Sequence, residues 1–382
     1  MTKPLNIAII GSRGYPYVYS GYETLVKALA ERFTEKGVEV TIYCHAHLFP
    51  EKPKAINGIK LVYIPTLPSK ALSQPIHSFL SFWHVVFSKA DAVMVLNVSN
   101  GPFGMITRWF RKPTLMNVDG MEWLRPKWRG FGANYFKWAA KQAVKYMDLL
   151  VTDANAMQAI YEKEFGAQSV VITYGAEANQ EAHEDHLLPW GLLAREYYLI
   201  IGRMIPDNNA DWIVEAFVQT QTTKKLVIVG DVPYKDGFAS KLRATKDPRV
   251  IFTGYVRETA TLSALYSYCY AYMHGHEFGG TNPTLLKAMA NSCAIAALDT
   301  VFSREVLQGE RFGWYFEKNI PSIRSWFEWA DTHAADLEER RSQINQGITP
   351  KYTWEVVTDL YLYHLKTLVY PKVDKPEHDY IT

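Results

Sequence analysis

The residues best placed to do chemistry lie around two glycine-containing loops. The first reads Gly11-Ser-Arg-Gly14-Tyr-Pro-Tyr-Val-Tyr-Ser-Gly21-Tyr-Glu23 and joins an apolar run to a helical pattern. At such a junction backbone N–H groups and a helix dipole can cradle phosphate. The second reads His274-Gly-His-Glu277-Phe-Gly279-Gly280-Thr281-Asn282-Pro283-Thr-Leu-Leu-Lys287. Its paired glycines permit close backbone approach, Asn282 suits an N-cap and Pro283 the first helical position, which together describe an anion pocket. Taken alone, the same residues describe an ordinary capped glycine turn equally well. Asp119 and Glu122 follow another apolar run, where carboxylates can meet a substrate.

Several chemistries are excluded by spacing. Gly-x-Gly-x-x-Gly is absent, and the second apolar run ends Ile42-Tyr-Cys-His45 without the acid that would bind a dinucleotide ribose. Gly-x-x-x-x-Gly-Lys-Ser/Thr is absent too, and so is Asp-x-Asp. His274 and His276 stand two apart with no clear third ligand, so no metal and no cofactor are expected.

These residues need a scaffold, and the pattern supplies one. Short β-branched runs (Ile7–Ile10, Val38–Cys44, Leu61–Ile64, Val93–Leu96, Thr114–Val118, Leu149–Thr152, Val170–Thr173) alternate with helical periodicity such as Leu25, Val26, Leu29 and Phe33, which Gly37 terminates. A polar, acidic stretch at 176–195 reads as a linker, and a second series follows (Tyr198–Ile201, Leu226–Val229, Val250–Phe252, Ala271–Met273, Ala294–Ala297). Trp354 to Leu368 forms a last helix. The expected fold class is α/β, with two doubly wound, Rossmann-like domains facing across a cleft.

Composition agrees with a soluble globular chain: of 382 residues, 48% are hydrophobic and 21% charged, with a net charge of +2 that argues against a nucleic-acid partner. Cys44, Cys269 and Cys293 all sit in apolar runs, which fits a reducing compartment. The opening Met1-Thr-Lys-Pro-Leu-Asn-Ile runs straight into a strand pattern without a leader's charged and apolar regions, so a cytoplasmic location is expected. The apolar window Phe79–Val98 is interrupted by His84, Lys89 and Asp91 and is not a transmembrane helix.

The longer blocks carry a resemblance. Tyr198-Leu-Ile-Ile-Gly-Arg203-Met-Ile-Pro-Asp-Asn208, the block from His274, Gly11–Glu23, Asn117-Val-Asp-Gly-Met-Glu-Trp123, Tyr174-Gly-Ala176, Phe302-Ser-Arg-Glu-Val306 and Tyr352-Thr-Trp-Glu355 resemble retaining family 4 glycosyltransferases of the rhamnosyltransferase-like branch. The resemblance covers roughly residues 5–366. It implies the GT-B fold, with an acceptor-side domain at 1–180, a nucleotide-sugar donor domain at 181–352, a helix at 353–370 crossing back to the first domain, and a tail at 371–382.

It also implies metal-independent transfer of a sugar, L-rhamnose by branch, from a dTDP- or UDP-sugar to a growing glycan or lipid-linked saccharide. Arg203 takes the place of the arginine that neutralises the donor diphosphate, a role suited to a permanently charged planar fork. Gly14, Gly21, Gly279, Gly280, Thr281 and Asn282 are implied to line the donor, and Asp119, Glu122 and Glu277 to meet the donor sugar or acceptor hydroxyl. Two positions depart from the family. The helper lysine is Asn208, as is common in this branch, and the ribose-gripping glutamate is Lys287, which cannot accept a hydrogen bond. Either Lys287 reaches the diphosphate, or Glu277 or Glu305 supplies the carboxylate, or donor binding is impaired. The last case leaves a sugar-nucleotide or glycan-binding protein as the rival; an epimerase-like enzyme of the same fold is another.

Between Met105 and Lys145 nine Lys/Arg face only Asp119 and Glu122, a local charge of +7, interleaved with Trp109, Phe110, Trp123, Trp128, Phe131, Tyr135, Phe136 and Trp138. Basic residues with interfacial aromatics predict peripheral contact with an anionic membrane on its inner face. A solvated face above an aromatic core is the plainer expectation.

Overall fold

The computed structural model describes residues 4–16, 21–69, 72–118, 120–125, 130–178, 181–232, 237–348 and 350–374. The chain divides into two compact units, one of residues 1–174 with 354–382 and the other of residues 175–353.

The first unit is built on eight strands: β1 (Asn6–Ile10), β2 (Glu39–His45), β3 (Ala55–Ile56), β4 (Ile59–Ile64), β5 (Ala92–Leu96), β6 (Thr114–Asn117), β7 (Leu149–Thr152) and β8 (Val170–Val171). They pair in the order β3-β4-β2-β1-β5-β6-β7-β8, and all pairs are parallel except the β3–β4 hairpin. β5 is buried at every position, as expected of a strand covered on both faces. The hairpin departs from the all-parallel expectation. Its two-residue loop, Asn57-Gly58, has positive φ at both residues (50° and 79°), the backbone that twists two strands into register. Helices α1 (Gly21–Glu35), α2 (Ser73–Val86), α3 (Gly104–Trp109), α4 (Phe131–Tyr146) and α5 (Asn155–Phe165) connect the parallel strands.

The second unit pairs six parallel strands, β9 (Tyr197–Ile201), β10 (Lys225–Val229), β11 (Val250–Gly254), β12 (Ala271–His274), β13 (Ile295–Leu298) and β14 (Trp314–Phe316), in the order β11-β10-β9-β12-β13-β14. β14 is a strand the periodicity did not predict, because three residues are too few to show alternation. Its helices are α6 (Ala210–Phe217), α7 (Gly237–Arg243), α8 (Thr259–Tyr268), α9 (Pro283–Ala290), α10 (Val301–Val306), α11 (Ile320–Thr332) and α12 (Ala334–Gln343). Aromatic edges knit this core: Tyr198 meets Phe327 edge-on at 4.7 Å and donates from its hydroxyl to Asp331 at 2.7 Å.

The last helix, α13 (Trp354–Val369), packs in the first unit. Val357, Tyr361 and Leu365 recur on its buried face, and the Tyr361 hydroxyl accepts from Asn117 Nδ2 at 2.7 Å. Lys36 pairs with Asp359 at 2.8 Å. Among the described residues no helix is long and apolar enough to cross a membrane. The three cysteines are buried thiols.

The rings of the 105–145 segment divide rather than form one surface. Trp123 packs on Tyr161 and Phe165, and Phe136 is buried, while Trp109, Phe110, Phe131 and Trp138 are exposed. Trp128 and its neighbours Lys127 and Arg129 lie outside the described residues. Several cations are paired, Arg108 with Asp148 and Lys137 with Glu164, both at 2.8 Å.

Candidate active site

In the second unit, strand order runs outward from β9 in one direction and from β12 in the other. The crevice at the carboxyl ends of two such strands is where an open α/β sheet binds ligands. Two loops meet there, 202–209 after β9 and 275–282 after β12.

Missing side chains let them meet. A Cβ on Gly275 would lie 2.4 Å from the Asn208 carbonyl oxygen, and one on Gly230, after β10, 2.0 Å from that of Gly202. Asn209, in the left-handed region at φ 52°, then reaches across the junction. Its Nδ2 donates to the Gly275 carbonyl at 2.9 Å and to Glu277 Oε2 at 3.3 Å, and the Glu277 N–H donates to the Asp207 carbonyl at 3.1 Å.

Arg203 is half-buried on the first of these loops. Among the described residues its guanidinium has no hydrogen-bond or ion-pair partner. Asn208, at the helper-lysine position, donates to the Arg203 carbonyl at 2.8 Å and so shapes the loop instead of adding charge.

The second loop ends in a well-made helix start. Asn282 Oδ1 accepts from the Thr284 N–H at 2.9 Å, and Pro283 opens α9. Gly279, at φ 118°, takes a backbone that other residues avoid. Gly279, Gly280 and Asn282 line one crevice with His274, His276 and Ser303, whereas Arg203, Glu277, Thr281 and Lys287 do not line it. Thr281 is buried. A buried relay supports the crevice floor: Tyr272 Oη lies 3.2 Å from His274 Nδ1 and donates to Thr284 Oγ1, which donates to Asn282 Oδ1. Burial pushes the His274 pKa down to about 3, so this ring is neutral at physiological pH.

Lys287 is half-buried on α9 and makes contacts of its own. Glu277 is not a solitary carboxylate either. Lys318, on the loop after β14, holds its Oε2 at 2.5 Å. Sequence reasoning missed Lys318 because the strand that carries its loop was missed. Asn209 has no sequence signal of its own beyond its neighbourhood to Asn208. Glu305, the alternative carboxylate, is half-buried and lies 3.7 Å from Lys351.

The candidate residues of the first unit are arranged differently. Gly11 and Gly14 both have positive φ (103° and 126°), and the Arg13 N–H between them donates to Glu23 Oε1 at 3.1 Å. A Cβ on Gly14 would meet Cys44 Sγ and the Phe49 ring at 2.8 Å. Gly21 is the first residue of α1. Glu122 pairs with Arg125 at 3.0 Å, and Asp119 lies outside the described residues. Among the described residues no group of three or more His, Cys, Asp or Glu could hold a metal ion.

Known proteins share this fold. Residues 195–324, which span the crevice, match the family model described as glycosyl transferases group 1, and residues 74–177 match a domain of unknown function, DUF1972. An N-acetylgalactosamine-N,N'-diacetylbacillosaminyl-diphospho-undecaprenol 4-alpha-N-acetylgalactosaminyltransferase of Campylobacter jejuni is 24% identical over 159 residues, 41% of this chain. The match spans 42% of that relative's length. Among solved structures, the sucrose-phosphate synthase of Thermosynechococcus elongatus superposes with a TM-score of 0.80 at 15% identity, covering 95% of this chain and 98% of its own. The Anabaena protein HepE, solved in complex with UDP, gives 0.75 at 13% identity, covering 95% and 100%. The chain has the GT-B fold of these glycosyltransferases, and its residues 195–324 match the glycosyl transferases group 1 family model.

Proposed function

We propose that this chain is a retaining glycosyltransferase that moves a sugar from a nucleoside-diphosphate donor to a growing, lipid-linked glycan. The observation that carries the reading is Arg203. A half-buried guanidinium without a partner among the described residues stands on the loop after β9, at the strand-order switch where that loop meets the loop after β12, inside the segment that matches the glycosyltransferase family model. A permanent cation there stabilises the charge that grows on a leaving diphosphate.

In the proposed reaction the bond from the anomeric carbon to the diphosphate oxygen breaks, and the diphosphate leaves with the electron pair. The acceptor hydroxyl forms the new glycosidic bond and passes its proton to the departing diphosphate oxygen. Backbone donors at Gly279, Gly280 and Thr281, with the α9 N-terminus, share the diphosphate with Arg203 and Lys287. Glu277 Oε2 is occupied by Lys318 and Asn209, so Oε1 is the oxygen offered to a sugar hydroxyl. Asp119 or Glu122 contacts the donor sugar or the acceptor hydroxyl.

The rhamnosyltransferase-like resemblance makes dTDP-L-rhamnose the first donor to test, and the UDP held by HepE makes UDP-sugars the second. The Campylobacter relative's diphospho-undecaprenol substrate supports a lipid-linked acceptor, handled at the cytoplasmic face of the membrane. A second reading, binding of a sugar nucleotide without transfer, draws on Lys287 standing where the family grips ribose. A thermal-shift screen over nucleotide sugars finds the donor, since ligand at about 100 times its Kd adds ~2.7 kcal/mol. Product analysis with and without acceptor follows. Transfer supports the enzyme, tight binding without turnover supports the second reading, and cleavage without acceptor supports the epimerase-like one.

A further inference from the structure

α2 is inside out. Its buried face carries His77, Ser78 and Ser81 beside Phe82, Val85 and Val86. Its outward positions carry Phe79, 49% exposed, and Leu80, 38%, beside the exposed Pro75 and His84, and the residues that cap its ends, Leu72 and Phe87, are 52% and 73% exposed. An amphipathic surface helix in water does the reverse. The exposed rings also touch one another. Phe79 meets Trp83 at 6.5 Å, Trp83 stacks on Phe87 at 6.5 Å, and Phe110, just past α3, meets Trp83 at 5.9 Å and Phe87 at 5.3 Å. Trp109, beside them in sequence, is 67% exposed. A contiguous apolar patch of this kind marks an interaction surface.

Charge says what covers it. Lys89, Arg108, Arg111 and Lys112 flank the ring cluster, while the carboxylates of the region are engaged: Asp91 accepts from the Asn6 N–H, and Asp148 from Arg108 and from the Thr114 N–H. Arg108, Arg111, Lys112, Asp148 and Leu368 line a cavity of about 390 Å³. Lys112 Nζ donates to the carbonyls of Ser88 and Ala90, at 3.3 and 2.7 Å, and ties the end of α2 to the turn after α3. Rings that project into acyl chains beside cations that meet phosphate fit an anionic bilayer better than a protein groove.

We infer that α2 and α3 form a monotopic docking face for an anionic membrane, with Phe79, Trp83, Phe87, Trp109 and Phe110 in the acyl boundary and Lys89 and Arg111 on lipid phosphates. The stripe from Leu72 to Phe87 spans about 22 Å at 1.5 Å per residue. It starts at the carboxyl edge of the sheet, where β4 ends, and reaches the amino edge, where β5 begins. The face moves the expected membrane contact from residues 105–145 as a whole to a helix pair whose larger part, α2, lies outside that segment. Its purpose rests on the proposed lipid-linked acceptor, and its evidence does not.

Cosedimentation with phosphatidylcholine vesicles, with and without phosphatidylglycerol, tests it. The wild-type chain is expected to bind the anionic vesicles at low salt, to release as salt rises, and to show Trp fluorescence quenched by brominated acyl chains. F79S/F87S is expected to lower partitioning about tenfold per ring, and K89S/R111S about fivefold per cation, with the melting temperature within a few degrees of wild type. No binding to anionic vesicles, or binding without brominated-lipid quenching, overturns the face; the quenching needs no variant and stands even if a double variant misfolds. A wild-type dimer that F79S/F87S converts to monomer also overturns it, by assigning the patch to a second copy. The nucleotide-sugar thermal shift should persist in both variants, so loss of that shift in the wild type breaks the enzyme reading and leaves the face standing.

Discussion

The glycine loop after β1 and the glycine loop after β12 look alike in the sequence and do different work in the structure. In the first, space for a side chain is already taken by the unit's own core: a Cβ on Gly11 would lie 2.3 Å from the Leu96 carbonyl oxygen, and one on Gly14 against Cys44 and Phe49. Tyr15 is buried, and its hydroxyl donates to Glu31 at 2.7 Å, which fastens the loop to α1. Around the second, the tight glycines Gly202, Gly230 and Gly275 lie at the ends of β9, β10 and β12 and lock loop to loop, while Gly279 and Gly280 line a crevice. The lesson is that glycines serve close packing or ligand approach, and only the neighbours decide which.

Four measurements break or sharpen that comparison. Gly11→Ala should have the largest effect on stability, about 3 kcal/mol by urea unfolding, because it adds both a clash with backbone and a disfavoured φ. Nucleotide binding by the fraction that remains folded should hold. A variant as stable as wild type would mean the β1 loop is looser than its packing implies.

Arg203→Ala should do the opposite. We expect transfer to drop about 100-fold, ~2.7 kcal/mol in the transition state, with little change in melting temperature because no protein partner is lost. Wild-type-like turnover would remove Arg203 from the diphosphate.

Lys287→Glu separates two roles for one position. If the ammonium contacts the donor phosphates, reversing its charge should weaken donor affinity roughly 10- to 150-fold, the equivalent of a charged hydrogen bond of ~1.5–3 kcal/mol. The family's ribose-binding glutamate predicts tighter binding instead, so titration with the preferred nucleotide sugar gives opposite signs for the two ideas.

The smallest expected effect is a slope. In the first unit His45 and His77 stack at 3.9 Å, and burial, with each ring's neighbouring charges, lowers their pKa values to about 4 and about 3. Both are held neutral below their unfolded value of about 6.5, so their stabilisation is full above that pH and is lost as pH falls from there toward 4 and below. Each ring should contribute a slope of about 1.4 kcal/mol per pH unit inside that window. The second unit has His274 with the same kind of shift. Segment-resolved hydrogen exchange at pH 7 and pH 5 should therefore show the first unit, where burial also lowers the His364 pKa, weakening more steeply, and His77→Gln should remove one ring's share of that excess. Equal slopes in the two units would show that the stacked rings take up their protons without penalty.

Much of the fold was legible because long apolar strands and helical repeats are local. The runs around β1, β5, β9 and β12 fall within a residue or two of their predicted bounds, and Asn282-Pro283 caps α9 as its sequence reads. β14 escaped notice through its length. The β3–β4 hairpin did leave a signal, Asn57-Gly58, that a reading tuned to parallel strands passed over.

By itself the sequence determined the alternation of strands and helices, the helix caps and the residue types that can bind an anion, since each depends on neighbours a few residues away. Which groups meet was decided by tertiary structure. Asn209 joins Glu277 across 68 residues, and Lys318 joins it across 41. The outward face of α2 was hidden for the same reason: a helix's periodicity shows two faces, but only packing against the sheet decides that the one with His77, Ser78 and Ser81 turns inward and the one with Phe79 and Phe87 is left outside.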